Sequence, residues 1–232
     1  MKNTSSNRAL NAAELPARNV SAAILIGGQG RRMGFPKGLL RIGGRPLAIA
    51  MAELLSPLFG ELFFVAEDDG MPLELVLSAG YSAYQDRIPG EGPIMGIITA
   101  LERCRYPSLF VTACDLPVID TALVAALLDA AEGRDCAVPV VGNGLHEPLF
   151  AVYAKTALRA FEAAYARGER KVQAAFQTLS VGFVNYRESG GIVNLNTPED
   201  LRIFEDRRSA ERPDLNVHPV HDGGPSRHGS PA

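Results

Sequence analysis

The alternation of short apolar segments with segments of helical length is the feature that most constrains the fold of this chain. Strands are predicted at residues 22–26, 61–66, 81–85, 108–113, 136–141, 149–153 and 181–184, and helices at 46–58, 93–104, 120–131, 155–166 and 171–178, with a last helix beginning at Thr197. Parallel neighbours in a sheet need a long crossover between them, and helices between strands supply it. The pattern therefore predicts a Rossmann-like α/β fold, a three-layer sandwich in which helices cover both faces of a mostly parallel sheet.

Length and composition fit one globular domain with loose ends. The chain has 232 residues, of which 47% are hydrophobic and 21% charged, the composition of an ordinary folded domain. We expect a single domain over residues 21–206, a flexible leader over 1–20 and a disordered tail over 207–232, where four prolines and three glycines leave no room for a regular element. Three of the four histidines lie in that tail, at a spacing that matches no metal-binding pattern.

Charge, cysteine usage and hydropathy exclude several classes of protein. The 23 basic and 26 acidic residues give a net charge of −3, which argues against a general nucleic-acid binder. The three cysteines form no Cys-X-X-Cys pair, so we expect a reducing compartment and no disulfide framework. The first 20 residues lack the apolar core of a signal peptide, and no apolar run is long enough for a membrane span. We therefore expect a soluble cytoplasmic protein with no nucleic-acid or membrane partner.

A glycine-rich, basic loop follows the first predicted strand. The stretch GGQGRRMGFPKG runs from Gly27 to Gly38. Glycines let backbone N–H groups approach an anion closely, and Arg and Lys neutralise phosphate charge. The stretch does not fit a P-loop, because Lys37 is followed by Gly38, and Met33 stands where a dinucleotide fingerprint requires its third glycine. We predict a triphosphate-binding loop, since a turn that only packs a strand against a helix needs neither the Arg pair nor Lys37.

Two aspartates lie directly after predicted strands, where parallel sheets bind their ligands. Asp115 follows the strand at 108–113, and one carboxylate there can hold Mg²⁺ beside a nucleotide phosphate. Because Asp120 is better placed to cap the next helix, Asp115 has no structural task of its own. Asp86 precedes a helix whose free N–H groups can face a ligand, although a plain turn explains that segment equally well.

Two asparagines and one histidine complete the set of polar candidates. Asn194 and Asn196 stand two residues apart before the last predicted helix, a spacing that points both amides to one side of an extended chain. Such amides can bind a neutral ligand edge or ligate Mg²⁺ through oxygen, although a turn capped at Thr197 explains the segment equally well. His146 is the only histidine between residues 21 and 206, and we interpret it as an exposed loop residue.

Together these motifs resemble the molybdenum cofactor guanylyltransferase family over residues 21–205. The glycine-rich stretch is similar to the family signature GGxxxRMGxxK, CDLPVI to its metal-binding motif CDxPxI, and NLNTPEDL to its C-terminal NxNTPE motif. The segment from Asp86 to Gly96 resembles the family's D…GPLxG, but it is short between Asp86 and Gly92 and contains Glu91, so we expect its local contacts to differ from those of other members. GERK at residues 168–171 resembles the family's GERR, although a solvated helix start explains that basic pair nearly as well.

The resemblance implies a nucleotide-diphospho-sugar-transferase-like fold and an enzyme that uses Mg²⁺ to transfer GMP from GTP to Mo-molybdopterin, releasing pyrophosphate. It implies catalytic roles for Arg32, Lys37 and Asp115, with the metal on Asp115. It places GTP binding on Leu25, Ile26, Gly27, Gly28, Lys37, Asp86 and Asp115. It places the molybdopterin side on Arg170, Lys171, Asn194 and Asn196.

Two other functions stay open at this point. One is a related nucleotidyltransferase that uses CTP, with molybdopterin or a sugar phosphate as acceptor, which a panel of four nucleotides would distinguish. The other is a non-catalytic GTP-binding accessory module for molybdoenzyme assembly, which would bind GTP without releasing pyrophosphate. The set Arg32, Lys37 and Asp115 argues against a mere binder, which needs no transition-state clamp. Molybdoenzyme maturation chaperones are the candidate protein partners.

Overall fold

The computed structural model describes residues 17–27, 37–142, 144–186 and 194–211, with side chains up to Asp206. The strands are β1 (Ala17–Leu25), β2 (Arg41–Ile42), β3 (Arg45–Pro46), β4 (Phe59–Ala66), β5 (Ala83–Gln85), β6 (Ser108–Ala113), β7 (Cys136–Val141), β8 (Leu145–His146), β9 (Phe150–Ala154) and β10 (Val181–Tyr186). The helices are α1 (Leu47–Leu55), α2 (Met71–Ser78), α3 (Pro93–Arg103), α4 (Thr121–Ala131), α5 (Leu158–Ala166) and α6 (Pro198–Glu211), with 3₁₀ turns at Lys37–Leu39, Lys155–Ala157 and Val172–Thr178.

Eight of these strands form one mostly parallel sheet. Its order is β10-β7-β9-β6-β1-β4-β5, with β8 paired to β7, while β2 and β3 form a separate hairpin. Only β8 and β9 run antiparallel to their neighbours in the main sheet. The chain between β7 and β9 is too short for a parallel crossover, so it returns in the opposite direction and inserts β9 between β6 and β7. The first residues of β9 therefore lie at the same edge as the carboxyl ends of the parallel strands.

The core lies on both faces of this sheet, because successive residues of a strand point to opposite sides. In β1, Ala22 and Ile24 pack with buried residues of α1 and α4 on one face, whereas Ala23 and Leu25 pack with those of α3 and α5 on the other. Strands buried on both faces are expected in a sheet covered by two helix layers. The three-layer α/β sandwich predicted from the sequence is confirmed.

Most predicted elements are present, and the differences concern short segments and ends. β6, β7 and the cap of α4 are as predicted, with Asp120 Oδ1 accepting from the N–H groups of Ala122 and Leu123 at 2.9 and 3.2 Å. The sequence did not predict α2, the β2–β3 hairpin or β8, which are all short. Residues 172–178 form a 3₁₀ rather than an α-helix.

The outer limits of the fold differ from the predicted boundaries. β1 begins at Ala17, inside the predicted leader, because the Ala17 N–H donates to the Leu58 carbonyl at 3.0 Å. α6 continues to Glu211, inside the predicted tail. The remainder of both segments lies outside the described residues. Within the described ranges, no helix has both the length and the apolar character needed to cross a membrane.

Candidate active site

The predicted site residues Lys37, Asp86 and Asp115 lie at the carboxyl edge of the sheet, together with the segment before α6. Backbone hydrogen bonds continue past the strand ends: the Cys114 N–H donates to Leu25 O at 2.9 Å, and the Asp86 N–H donates to Ala66 O at 2.8 Å. These bonds fix Asp86 and Asp115 on either side of the end of β1. Gly28 and Arg32 lie outside the described residues, so the structure provides no position for these two predicted residues.

Lys37 forms the centre of a polar cluster at this edge. Its ammonium donates to Asp115 Oδ2 at 2.5 Å and to Asn196 Oδ1 at 2.8 Å. The side chains of Lys37 and Asp115 are 22% and 12% exposed, so the ion pair is only partly screened by solvent. Gly38 holds the lysine turn against β1, because a Cβ at this position would lie 2.7 Å from Ile26 O. The cluster thus places a cation beside a carboxylate at the end of β6.

The segment before α6 is tied to this cluster through its backbone. The Leu195 N–H donates to Asp115 O at 2.8 Å, and the Leu195 side chain is fully buried. The N–H groups of Asn196 and Thr197 donate to Asp200 Oδ2 at 2.9 and 2.8 Å, and the Asp200 N–H donates to Thr197 Oγ1 at 3.1 Å. This reciprocal cap satisfies free donors at the helix start. It also holds Asn196 in a defined position above Asp115.

Glu147 is a candidate site residue that the sequence interpretation missed. It precedes β9, whose antiparallel direction brings it to the carboxyl edge. Its Oε2 accepts from Asn194 Nδ2 at 3.4 Å, and its Oε1 accepts from the Leu149 N–H at 3.3 Å. Burial raises the pKa of Glu147, and the negative charge of Asp115 raises it further. The only signal in the sequence was a carboxylate directly before a buried strand.

Asp86 is a buried carboxyl at the other end of the site. It is 9% exposed, and its Oδ1 has no hydrogen-bond partner within the described part of the chain. Burial raises its pKa to about 7, with a smaller contribution from the charge of Glu67 and an opposing hydrogen bond from Thr99. Glu67 itself lies against Gly27, where a Cβ would come within 2.8 Å of the Glu67 Cβ. Asp86 Oδ1 is therefore available to form a hydrogen bond with a ligand that lies along the ends of β1 and β4.

A family model described as the MobA-like NTP transferase domain matches residues 22–181 of the chain. The protein belongs to this family. The family predicted from the motifs of the glycine-rich loop, Asp115 and the Asn194–Asn196 segment is thereby confirmed.

Relatives and solved structures agree with this assignment. The chain is 35% identical over 190 residues to a molybdenum cofactor guanylyltransferase of Pseudomonas putida, covering 78% of this chain and 95% of the relative. It is 33% identical to one of Cupriavidus necator, covering 82% and 98%. The crystal structure of molybdopterin-guanine dinucleotide biosynthesis protein A from Archaeoglobus fulgidus matches with a TM-score of 0.71 and 30% identity over 82% of this chain and 99% of that one.

In this MobA-like domain, the four residues predicted for the acceptor side are separated. Asn194 contacts Glu147, whereas Asn196 contacts Lys37, so their two amides serve different partners inside the protein. Arg170 stacks on the Tyr165 ring, with 4.2 Å between its Cζ and the ring centroid, and forms an ion pair with Glu91. Lys171 is exposed directly before the 3₁₀ turn Val172–Thr178.

The departure from the family motif at Glu91 therefore has a structural role. Glu91 lies in the loop between Asp86 and the N-terminus of α3, and its ion pair with Arg170 ties this loop to the segment after α5. His146 is exposed, as predicted, and its ring stacks on Phe183 with 4.8 Å between centroids.

A cavity of about 940 Å³ lies at the opposite edge of the sheet, away from all these residues. It is bordered by the start of β6 and the end of α4. Two of its cations already donate to backbone carbonyls, Arg134 to Ala130 O at 3.1 Å and Lys155 to Cys104 O at 2.5 Å. These two cations therefore serve the fold, and the carboxyl edge, where the predicted residues meet, remains the candidate active site.

The carboxyl edge offers oxygen ligands to a metal. In the described ranges, no group of three His, Cys, Asp or Glu side chains could hold an ion by itself. Asp115 supplies a carboxylate, and the side-chain oxygen of Asn196 accepts from the same Lys37 ammonium. The Glu147 carboxylate contacts Asn194, two residues before Asn196. Mg²⁺ takes oxygen ligands, keeps several waters and is commonly bound by one or two carboxylates together with substrate phosphates. The donor set fits Mg²⁺ when substrate oxygens complete the coordination.

Proposed function

We propose that this protein transfers GMP from GTP to the terminal phosphate of Mo-molybdopterin, forming molybdopterin guanine dinucleotide and pyrophosphate. The observation that carries the proposal is the Lys37–Asp115–Asn196 cluster at the carboxyl edge, in which the lysine of the glycine-rich loop contacts both other residues. The names of the relatives support the guanine base and the acceptor, which the geometry by itself leaves open.

The chemistry requires positioning and charge stabilisation rather than a general base. A phosphate monoester is already ionised at neutral pH, so its oxygen can attack the α-phosphorus of GTP directly. The new P–O bond forms as the bond to the β-phosphate oxygen breaks, and pyrophosphate leaves with the negative charge. The Lys37 ammonium, held between Asp115 and Asn196, is placed to stabilise that charge. Arg32 is proposed to act with it.

Asp115 is proposed to hold Mg²⁺. When bound there, the metal would neutralise charge on the phosphate oxygens. The protein's contribution to metal binding is the Asp115 carboxylate, whose Oδ2 accepts from Lys37. The Leu195 N–H holds the backbone of this residue by donating to the Asp115 carbonyl.

We propose the nucleoside and acceptor sides from the family motifs, and the geometry of Asp86 and the contact of Asn194 support them. We place guanosine against the backbone of Leu25–Gly28 and the Asp86 carboxyl, since guanine offers N–H donors and Asp86 Oδ1 accepts no other hydrogen bond within the described residues. The acceptor is placed on the side of Asn194, Arg170 and Lys171. Glu147 joins this side through its contact with Asn194.

Pyrophosphate release by the purified chain tests the proposal. The protein is incubated with Mg²⁺, Mo-molybdopterin and either GTP, CTP, ATP or UTP, with Asp115→Asn as the matched inactive variant. Release with GTP alone is expected. Release with CTP alone would keep the chemistry and refute the base. Measurable GTP binding with no release from any nucleotide, despite an acceptor that a known guanylyltransferase consumes, would support an accessory binding module instead.

A further inference from the structure

The side chains of Asn196 and Lys37 are in contact although they lie 159 positions apart in the chain. The motif resemblance implied that Asn194 and Asn196 both face the acceptor, whereas Asn196 contacts a lysine of the protein instead. Lysine has a flexible four-carbon side chain, and one ion pair leaves its ammonium free to rotate about its partner. Asp115 and Asn196 together define its position from two directions. The ammonium is thus held at one position at the carboxyl edge, and the lysine does not sample many rotamers.

Asn196 is itself held more firmly than a loop residue needs to be. Its N–H is fixed by Asp200, and the preceding Leu195 is buried and bonded through its N–H to the Asp115 carbonyl. The backbone on both sides of Asn196 is therefore tied to the rest of the fold. A rigid support of this kind is what a residue needs in order to hold another side chain to within a fraction of an ångström.

The chemistry of the Asn196 side chain matters as well. Its carbonyl oxygen accepts a hydrogen bond without adding charge. A second carboxylate at this position would also hold the ammonium, but it would leave a net negative charge beside two anionic substrates. A neutral acceptor orients Lys37 and preserves the electrostatic attraction for phosphate.

We propose that Asn196 is a positioning residue that acts through Lys37, rather than a ligand of the acceptor. The expected effect of Asn196 on catalysis rests on the proposed function. Its role in holding Lys37 rests only on the contact between the two side chains. Asn194, which holds Glu147 instead, provides the contrast within the same motif.

Steady-state kinetics separate the two roles of Asn196. For Asn196→Ala we expect kcat to fall about 10- to 100-fold, because displacing a catalytic group by about 1 Å costs up to 10²-fold, with the KM for Mo-molybdopterin changed less than about twofold. The kcat of Asn196→Asp should fall by as much or more, because this variant keeps the acceptor oxygen but adds a negative charge. Asn194→Ala should change the KM for the acceptor instead. A raised acceptor KM with unchanged kcat in Asn196→Ala would overturn the inference.

A double-mutant cycle tests whether the effect passes through the lysine. Lys37→Met, Asn196→Ala and the double variant are compared by pyrophosphate release, and the double variant is expected to be no slower than Lys37→Met alone. Additive losses would mean that Asn196 acts independently of Lys37 and would overturn the inference.

The same four proteins are unfolded in urea, which keeps this test separate from the proposed function. If the wild type releases no pyrophosphate, the proposed function fails. A coupling between the two substitutions in the free energy of unfolding would then support the positioning contact, and the absence of coupling would refute it.

Discussion

Replacing Asp86 with asparagine should remove a large pH dependence of stability that this buried carboxyl creates. In the unfolded chain the carboxyl titrates near its ordinary pKa of 3.8, whereas burial raises the pKa to about 7 in the folded protein. Between these values the unfolded chain has lost the proton and the folded chain retains it. The contribution of Asp86 to stability therefore falls as the pH rises from about 4 to about 7, and stays at its lowest above that.

The two pKa values set the size of this effect. One pKa unit corresponds to about 1.4 kcal/mol, so the full cost above pH 7 is at most about 4 kcal/mol. The part that appears between pH 5 and pH 8 is about 2–3 kcal/mol. Asp86→Asn keeps the shape of the side chain and removes the titration. Between pH 5 and pH 8, we expect the free energy of unfolding of Asp86→Asn to rise by about 2–3 kcal/mol relative to that of the wild type.

Urea unfolding at pH 5, 6, 7 and 8 measures the difference between the wild type and Asp86→Asn, with m-values compared to confirm that the same surface is exposed. Asp129→Asn is the matched control, because Asp129 is an exposed aspartate on α4 and its removal should leave the pH dependence unchanged. Parallel pH profiles for the wild type and Asp86→Asn would refute the reasoning, since they would mean that Asp86 is ionised in the folded protein at no cost.

Three further substitutions have defined outcomes. Asp115→Asn should lower pyrophosphate release about 10²- to 10³-fold while the circular dichroism spectrum stays that of the wild type; an active variant would remove Asp115 from the mechanism. Gly38→Ala should lower the free energy of unfolding by about 1–3 kcal/mol and reduce kcat by displacing Lys37, because its Cβ would lie 2.7 Å from a backbone carbonyl oxygen; unchanged denaturant midpoint and kcat would contradict this. Glu91→Gln should release Arg170 and lower the KM for Mo-molybdopterin several-fold, with Glu132→Gln on the opposite edge as control; a raised KM would show that the Glu91–Arg170 pair supports acceptor binding.

Local patterns in the sequence were sufficient to predict the layers of the fold, two helix starts and the position of one candidate site residue. β6 and β7 could be placed because a buried parallel strand is a short apolar run bounded by polar residues. The helix starts at Asp120 and Thr197 could be placed because caps are satisfied within three residues. The position of Asp115 at the carboxyl edge could be predicted because the ends of parallel strands meet at one edge, a rule that needs no knowledge of strand order.

The partners of these residues depended on the strand order, which no local pattern contains. The reversal at β9 brings Glu147 to the site, and the docking of α6 brings Asn196 to Lys37 from 159 residues away. Burial around Asp86 and the pairing of Glu91 with Arg170 likewise arise only when distant segments pack. The sequence alone determined which chemical groups were available, because residue type and short-range spacing are local properties. Tertiary structure decided which groups touch, because hydrogen bonds and desolvation depend on neighbours in space.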